Sequence, residues 1–186
     1  MKLTVYCGAS SGHPNSRYLE QARTLGRCLA QREIELVYGG ASVGLMGAVA
    51  DAVLACGGQV TGVMPAVLVE RELVHPGLSH LVQVDDIHQR KAVMMEMADG
   101  FIALPGGTGT LEELFEVWAW RQLSLHQKPF GLLNTDGYYD HLLAFLDHGC
   151  EQEFIRRQYR DLLLTEVEPD RLLSLVLAEM KSGNLS

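Results

Sequence analysis

Phe101-Ile102-Ala103-Leu104-Pro105-Gly106-Gly107-Thr108-Gly109-Thr110-Leu111-Glu112-Glu113 joins an apolar run to a glycine-rich turn and then to a pair of acids. The apolar run is short enough to be a buried strand. The residues that follow, Leu114-Phe115-Glu116-Val117-Trp118-Ala119-Trp120, read as a helix. A strand, a glycine turn and a helix start together make an anion-holding geometry. Glycines let backbone N–H groups approach an oxyanion, and the helix N-terminus adds partial positive charge. Glu112 and Glu113 stand out, because a site for phosphate alone has no need of them.

The same grammar recurs on either side. Leu3 to Cys7 reads as a first strand, ending in the small-residue loop Gly8-Ala9-Ser10-Ser11-Gly12. A helix is expected from about Pro14 or Asn15, with Tyr18, Ala22, Leu25 and Leu29 on its apolar face. Ile34 to Tyr38 reads as a second strand, followed by a second glycine-rich turn, Gly39 to Gly47, and an alanine-rich helix stopped by Gly57-Gly58. Further strands are expected at Gln59–Met64, Leu81–Val84, Phe130–Leu133 and Leu162–Val167. Asp86 caps the helix that carries Arg90 and Lys91, with Gln89 three residues on. Tyr138 to Asp147, Glu153 to Arg160 and Pro169 to Lys181 read as helices. The segment from Pro65 to Pro76 is ambiguous. Regular alternation of strands and helices predicts an α/β fold: a three-layer, Rossmann-like, doubly wound parallel sheet with helices on both faces. All three small-residue turns follow strands, so all three are able to face one crevice beyond the strand C-termini.

The chain has 186 residues, and residues 1–186 are expected to form one nucleotide-binding catalytic domain. Its formal net charge of -8 disfavours binding to a nucleic acid polymer, which needs a broad cationic surface. No stretch approaches the roughly 20 apolar residues of a membrane span, and the N-terminus enters a strand directly. Cytoplasmic location is expected. Cys7, Cys28, Cys56 and Cys150 are scattered and read as reduced thiols, and the histidines lack metal-site spacing, so no metal is expected.

Each candidate residue also has a plainer reading. Thr110-x-x-Glu113 fits a capping box, in which Glu113 merely satisfies a backbone N–H. Glu112 can simply favour the helix dipole. Arg90 and Lys91 diverge by ~100° on a helix and need not share a role. Glu72 can be a surface charge. Trp118 and Trp120 suit a core or an interface, and Met94, Met95 and Met97 suit a core. The glycine loop lacks the Gly-Lys-Ser/Thr ending of a nucleoside triphosphate cradle, which disfavours ATPase chemistry.

Together the motifs resemble the LOG (Lonely Guy) family of cytokinin riboside 5′-monophosphate phosphoribohydrolases, long labelled lysine decarboxylases. Pro105 to Glu113 looks like the family's P-G-G-x-G-T-x-x-E signature. Cys7-Gly8-Ala9-Ser10-Ser11, Tyr38-Gly39-Gly40 with Gly44-Leu45-Met46-Gly47, His88-Gln89-Arg90-Lys91 and Gly131 to Tyr139 resemble its other elements. Ala41 replaces a glycine of the second loop, Ile87 replaces a methionine, and Ala119 stands where plant members carry a threonine. The resemblance implies hydrolysis of the N-glycosidic bond of AMP or an N6-substituted AMP, giving free base and ribose 5-phosphate. It implies that Arg90 and Glu113 are catalytic. It also implies that Gly106, Gly107, Thr108, Gly109, Thr110, Leu111 and Glu112 hold phosphate and ribose, joined by Glu72, Arg90 and Lys91. It implies a homodimer and no cofactor. The alternative is a nucleotide-binding or regulatory protein that keeps the crevice without turnover. Decarboxylation of lysine is disfavoured, because it needs pyridoxal phosphate on a lysine and none of the four lysines lies in a cofactor motif.

Overall fold

A computed structural model describes residues 1–69 and 74–183. Seven strands form one all-parallel sheet: β1 (Lys2–Tyr6), β2 (Glu35–Tyr38), β3 (Val60–Pro65), β4 (His80–Val84), β5 (Gly100–Ala103), β6 (Phe130–Leu133) and β7 (Leu163–Glu166). Their order across the sheet is β4-β3-β2-β1-β5-β6-β7. The chain winds outward from β1 in one direction, then crosses back through β5 to wind in the other. The switch point is therefore the β1–β5 junction, where Leu3 to Tyr6 pair with Gly100 to Ala103.

Helices cover both faces, as the alternation predicts. One face carries α1 (Tyr18–Gln31), α2 (Gly44–Ala55) and, last in the chain, α8 (Pro169–Gly183). Ala22, Leu25 and Leu29 of α1 and Leu172 and Val176 of α8 are fully buried there. Each large side chain so buried contributes roughly 1.5–3 kcal/mol of transfer free energy. The other face carries α4 (Ile87–Met97), α5 (Thr108–Gln122) and α6 (Asp140–Glu151), whose Met94, Met95, Val117, Trp118 and Leu146 form a second core layer. Two single turns, α3 (Ala66–Val69) and α7 (Arg157–Arg160), complete the set. Among the described residues, no helix is long and apolar enough to cross a membrane.

Three expectations are corrected. α1 begins at Tyr18, because residues before it are spent on turns that hold Arg17: its backbone N–H and Nε both donate to Asp136, each at 2.9 Å. The helix expected over Glu153 to Arg160 is only α7, since Glu153 takes a positive φ of 63° that ends α6. The capping box is also absent. α5 starts at Thr108 with Gly107 as its N-cap, so Thr110 lies inside the helix and caps nothing. Asp86, by contrast, caps α4 as expected, its Oδ1 accepting the Gln89 N–H at 2.8 Å.

Candidate active site

Three loops converge at the switch point. The Gly8 N–H donates to the Pro105 carbonyl at 3.1 Å, and the Leu45 N–H donates to the Gly8 carbonyl at 3.1 Å. The first glycine loop is thereby tied to both of the others. A cavity of about 380 Å³ lies among them, lined by Gly8, Ala9, Ser10, Gly12, Tyr18, Leu45, Pro105, Gly106, Gly107 and Tyr138. The α5 N-terminus opens here, and the first N–H groups of a helix have no acceptor within it.

The glycines of this loop differ in what requires them. A Cβ on Gly106 would lie 2.1 Å from Thr110 Oγ1 and 2.9 Å from the Gly8 nitrogen, so packing forbids a side chain. A Cβ on Gly107 or Gly109 would meet nothing within 4 Å, and neither has a positive φ. Nothing in the chain itself demands glycine at 107 or 109. Thr108 is exposed, Thr110 is buried and Leu111 is half-buried, so only part of the predicted phosphate stretch faces solvent.

One turn into α5 the acids separate. Glu112 is exposed and pairs with Lys91, whose Nζ also lies 3.2 Å from Glu116 Oε2. Lys91 is buried, and the hydrogen bond it donates to Glu112 raises its pKa against the opposing effect of burial. Lys91 thus reaches α5 and its acids; its ammonium is spent balancing carboxylates. Glu113 is half-buried, and no hydrogen bond ties down its carboxylate among the described residues. Burial pushes its pKa up to about 7; Arg90 and Lys91 oppose that rise, and Glu112 and Glu116 add to it.

Arg90 is held from behind. Its Nε donates to the Val63 carbonyl at 3.1 Å, at the C-terminal end of β3. A Cβ on Gly39 would come within 2.1 Å of its Nη2, so the guanidinium occupies the space a side chain at 39 would take. Arg90 and Glu113 feel each other's charge, yet no direct ion pair joins them. The two predicted catalytic groups are therefore close enough to feel each other's charge without forming an ion pair. Glu72 lies outside the described residues.

Three side chains here carry no local signal of their place in the site. Tyr6, at the end of β1, is buried; burial first, then the charges of Glu113 and Glu116, push its pKa well up. Cys7 is also pushed up, by burial and by Glu113. Both sit beside the acid because β1 and β5 are neighbours, a pairing that no local motif encodes. Tyr138, expected to open a helix, precedes α6, and its Oη donates to the Gly106 carbonyl at 2.6 Å.

A family profile described as "Possible lysine decarboxylase" matches residues 46–176. The chain is 50% identical over 172 residues to the probable cytokinin riboside 5′-monophosphate phosphoribohydrolase LOGL6 of Oryza sativa subsp. japonica, covering 92% of this chain and 68% of that protein. It is 51% identical over 164 residues to the cytokinin riboside 5′-monophosphate phosphoribohydrolase LOG7 of Arabidopsis thaliana, covering 88% of this chain and 75% of that one. The fold is also that of the molybdenum cofactor binding protein from Rippkaea orientalis, with a TM-score of 0.74, 21% identity and 95% of each chain covered. That likeness is one of fold alone. The profile match over most of the chain and an identity near one half to these relatives place the protein in the LOG family of phosphoribohydrolases.

Proposed function

We propose that this protein hydrolyses the N-glycosidic bond of a nucleoside 5′-monophosphate, AMP or an N6-substituted AMP, releasing the base and ribose 5-phosphate. It is a phosphoribohydrolase by family, and the names of its relatives supply the substrate class. One observation carries the mechanism: an uncommitted carboxylate, Glu113, stands one turn along the same helix from an open glycine N-terminus. The Gly107 to Gly109 end receives the phosphate, whose charge suits a helix N-terminus. That places the ribose next to the acid.

Cleavage breaks the C1′–N bond and builds oxocarbenium-like charge on the sugar, which a nearby carboxylate stabilises. Water adds to C1′, its proton passes to a base, and the purine leaves with the bonding electrons. Glu113, ionised, stabilises the cation and orients or deprotonates the water. Arg90 offsets the negative charge of the phosphate and acids. Lys91 keeps Glu112 and Glu116 from adding fully to that charge. The same pairing argues against a Schiff base at Lys91, since such a lysine needs a lowered pKa and this one is raised.

Incubation with AMP is expected to yield adenine and ribose 5-phosphate in equal amounts, with N6-isopentenyl-AMP, GMP and CMP compared in parallel. Binding of AMP without base release would instead leave a nucleotide-binding protein. Homodimer formation belongs to the same reading. Trp118 is committed to the core, its Nε1 donating to the Tyr159 carbonyl at 3.0 Å, but Phe115 stacked on it is exposed, as are Leu123, Phe145 and Phe154. Such an apolar surface suits a second copy. Sedimentation equilibrium is expected to give twice the chain mass, and a monomer at micromolar concentration would end that reading. The cytoplasm is the proposed location, supported by four free thiols.

A further inference from the structure

We propose that Tyr138 is a positioning residue that aims the Gly107 N–H at the substrate phosphate; this rests on the phosphoribohydrolase reading above. The Tyr138 hydroxyl donates to the Gly106 carbonyl at 2.6 Å. That carbonyl and the Gly107 N–H belong to one planar trans peptide, so they point in opposite directions. β5 lies between β6, which leads into Tyr138, and β1. With the carbonyl turned toward the Tyr138 hydroxyl, the N–H faces away from it, and the phosphate is expected on that side.

An added Cβ at Gly107 would touch nothing, and the residue is held through its own carbonyl, which accepts the Leu111 N–H at 3.1 Å. The phenol is firmly placed. Its ring meets Tyr18 and Tyr139 edge-on, with centroids 5.6 Å and 4.8 Å away. The adjacent Tyr139 N–H donates to Asn134 Oδ1 at 2.7 Å, and the Tyr139 Oη donates to the Leu104 carbonyl at 2.7 Å. Among the described residues, the Tyr138 hydroxyl makes the one side-chain hydrogen bond to the Gly106–Gly107 peptide. Hydrogen bonds of this kind are worth about tenfold in an equilibrium constant.

The test compares wild type with Tyr138→Phe, which keeps the ring and removes the hydroxyl. KM for AMP is expected to rise about 5- to 10-fold, and inhibition by inorganic phosphate to weaken by the same factor. kcat is expected to stay within about twofold and Tm within about 4 °C. The Gly107 amide resonance is expected to shift on addition of phosphate in wild type and much less in the variant. An unchanged KM and phosphate affinity would overturn the proposal, as would a fall in kcat alone or a Tm loss with intact phosphate binding. If wild type releases no base from AMP, the hydrolase reading fails, and the amide titration still decides: equal shifts in both proteins, or none in either, overturn the role of Tyr138.

Discussion

Glu113→Gln is expected to lower kcat roughly 10³-fold while making the protein more stable at pH 8, a combination that separates a working acid from a structural one. The activity loss follows because Gln cannot stabilise positive charge on the sugar or accept a proton. The stability gain follows from linkage. Burial pushes the Glu113 pKa up to about 7 from its ordinary 4.5, so the folded state binds more protons than the unfolded state between those values. Wild-type stability therefore falls as pH rises through that window and carries the full penalty above it. Gln carries none. The variant is expected to exceed wild type by about 1–3 kcal/mol at pH 8 and to match it near pH 4, read by thermal melts at both pH values. Wild-type kcat/KM is expected to fall on the acid side of an apparent pKa near 7. A variant that keeps turnover within tenfold, or that melts lower than wild type at pH 8, would refute this assignment.

Gly39→Ala is expected to cost about 10²- to 10³-fold in kcat/KM although residue 39 has no side chain to contribute. The added methyl would fall 2.1 Å from Arg90 Nη2 and 3.2 Å from Met46 Sδ. The guanidinium is the end of a flexible side chain, so the fold accommodates the methyl by expelling it. The Nε hydrogen bond to the Val63 carbonyl is then lost. Stability is expected to change by no more than about 2 kcal/mol. The decisive comparison is a cycle with Arg90→Ala. If Gly39 acts only by seating Arg90, the double variant is no slower than Arg90→Ala alone. Multiplying losses would show that residue 39 affects the site by another route.

The strands were legible in the sequence because each is a short apolar run ended by a turn, and β1 to β7 fall within a residue or two of expectation. Asp86 was legible as a cap because its signal is three residues long. The Thr110-x-x-Glu113 signal had the same form and misled. The helix begins two residues before Thr110, and Thr110 is packed against Gly106 and leaves the helix end uncapped. The roles of Arg90 and Lys91 were not separable from their adjacency. One reaches back to β3 and the other forward to α5, and only the packing of α4 across β1 to β4 assigns them.

Local chemistry thus determined the strand–glycine–helix units, the parallel sheet they imply, and the stretch from Pro105 to Glu113 as the place where an anion and two acids meet. Tertiary structure decided which acid is free. Glu112 is neutralised by a lysine 21 residues earlier in the chain, and Glu113 is left half-buried and unpaired among the described residues. It also brought Gly39 under Arg90, Gly8 against Pro105, and Tyr138 onto Gly106. Such contacts depend on strand order across the sheet. Strand order is set by how whole layers pack, a long-range sum that no local spacing in the sequence records.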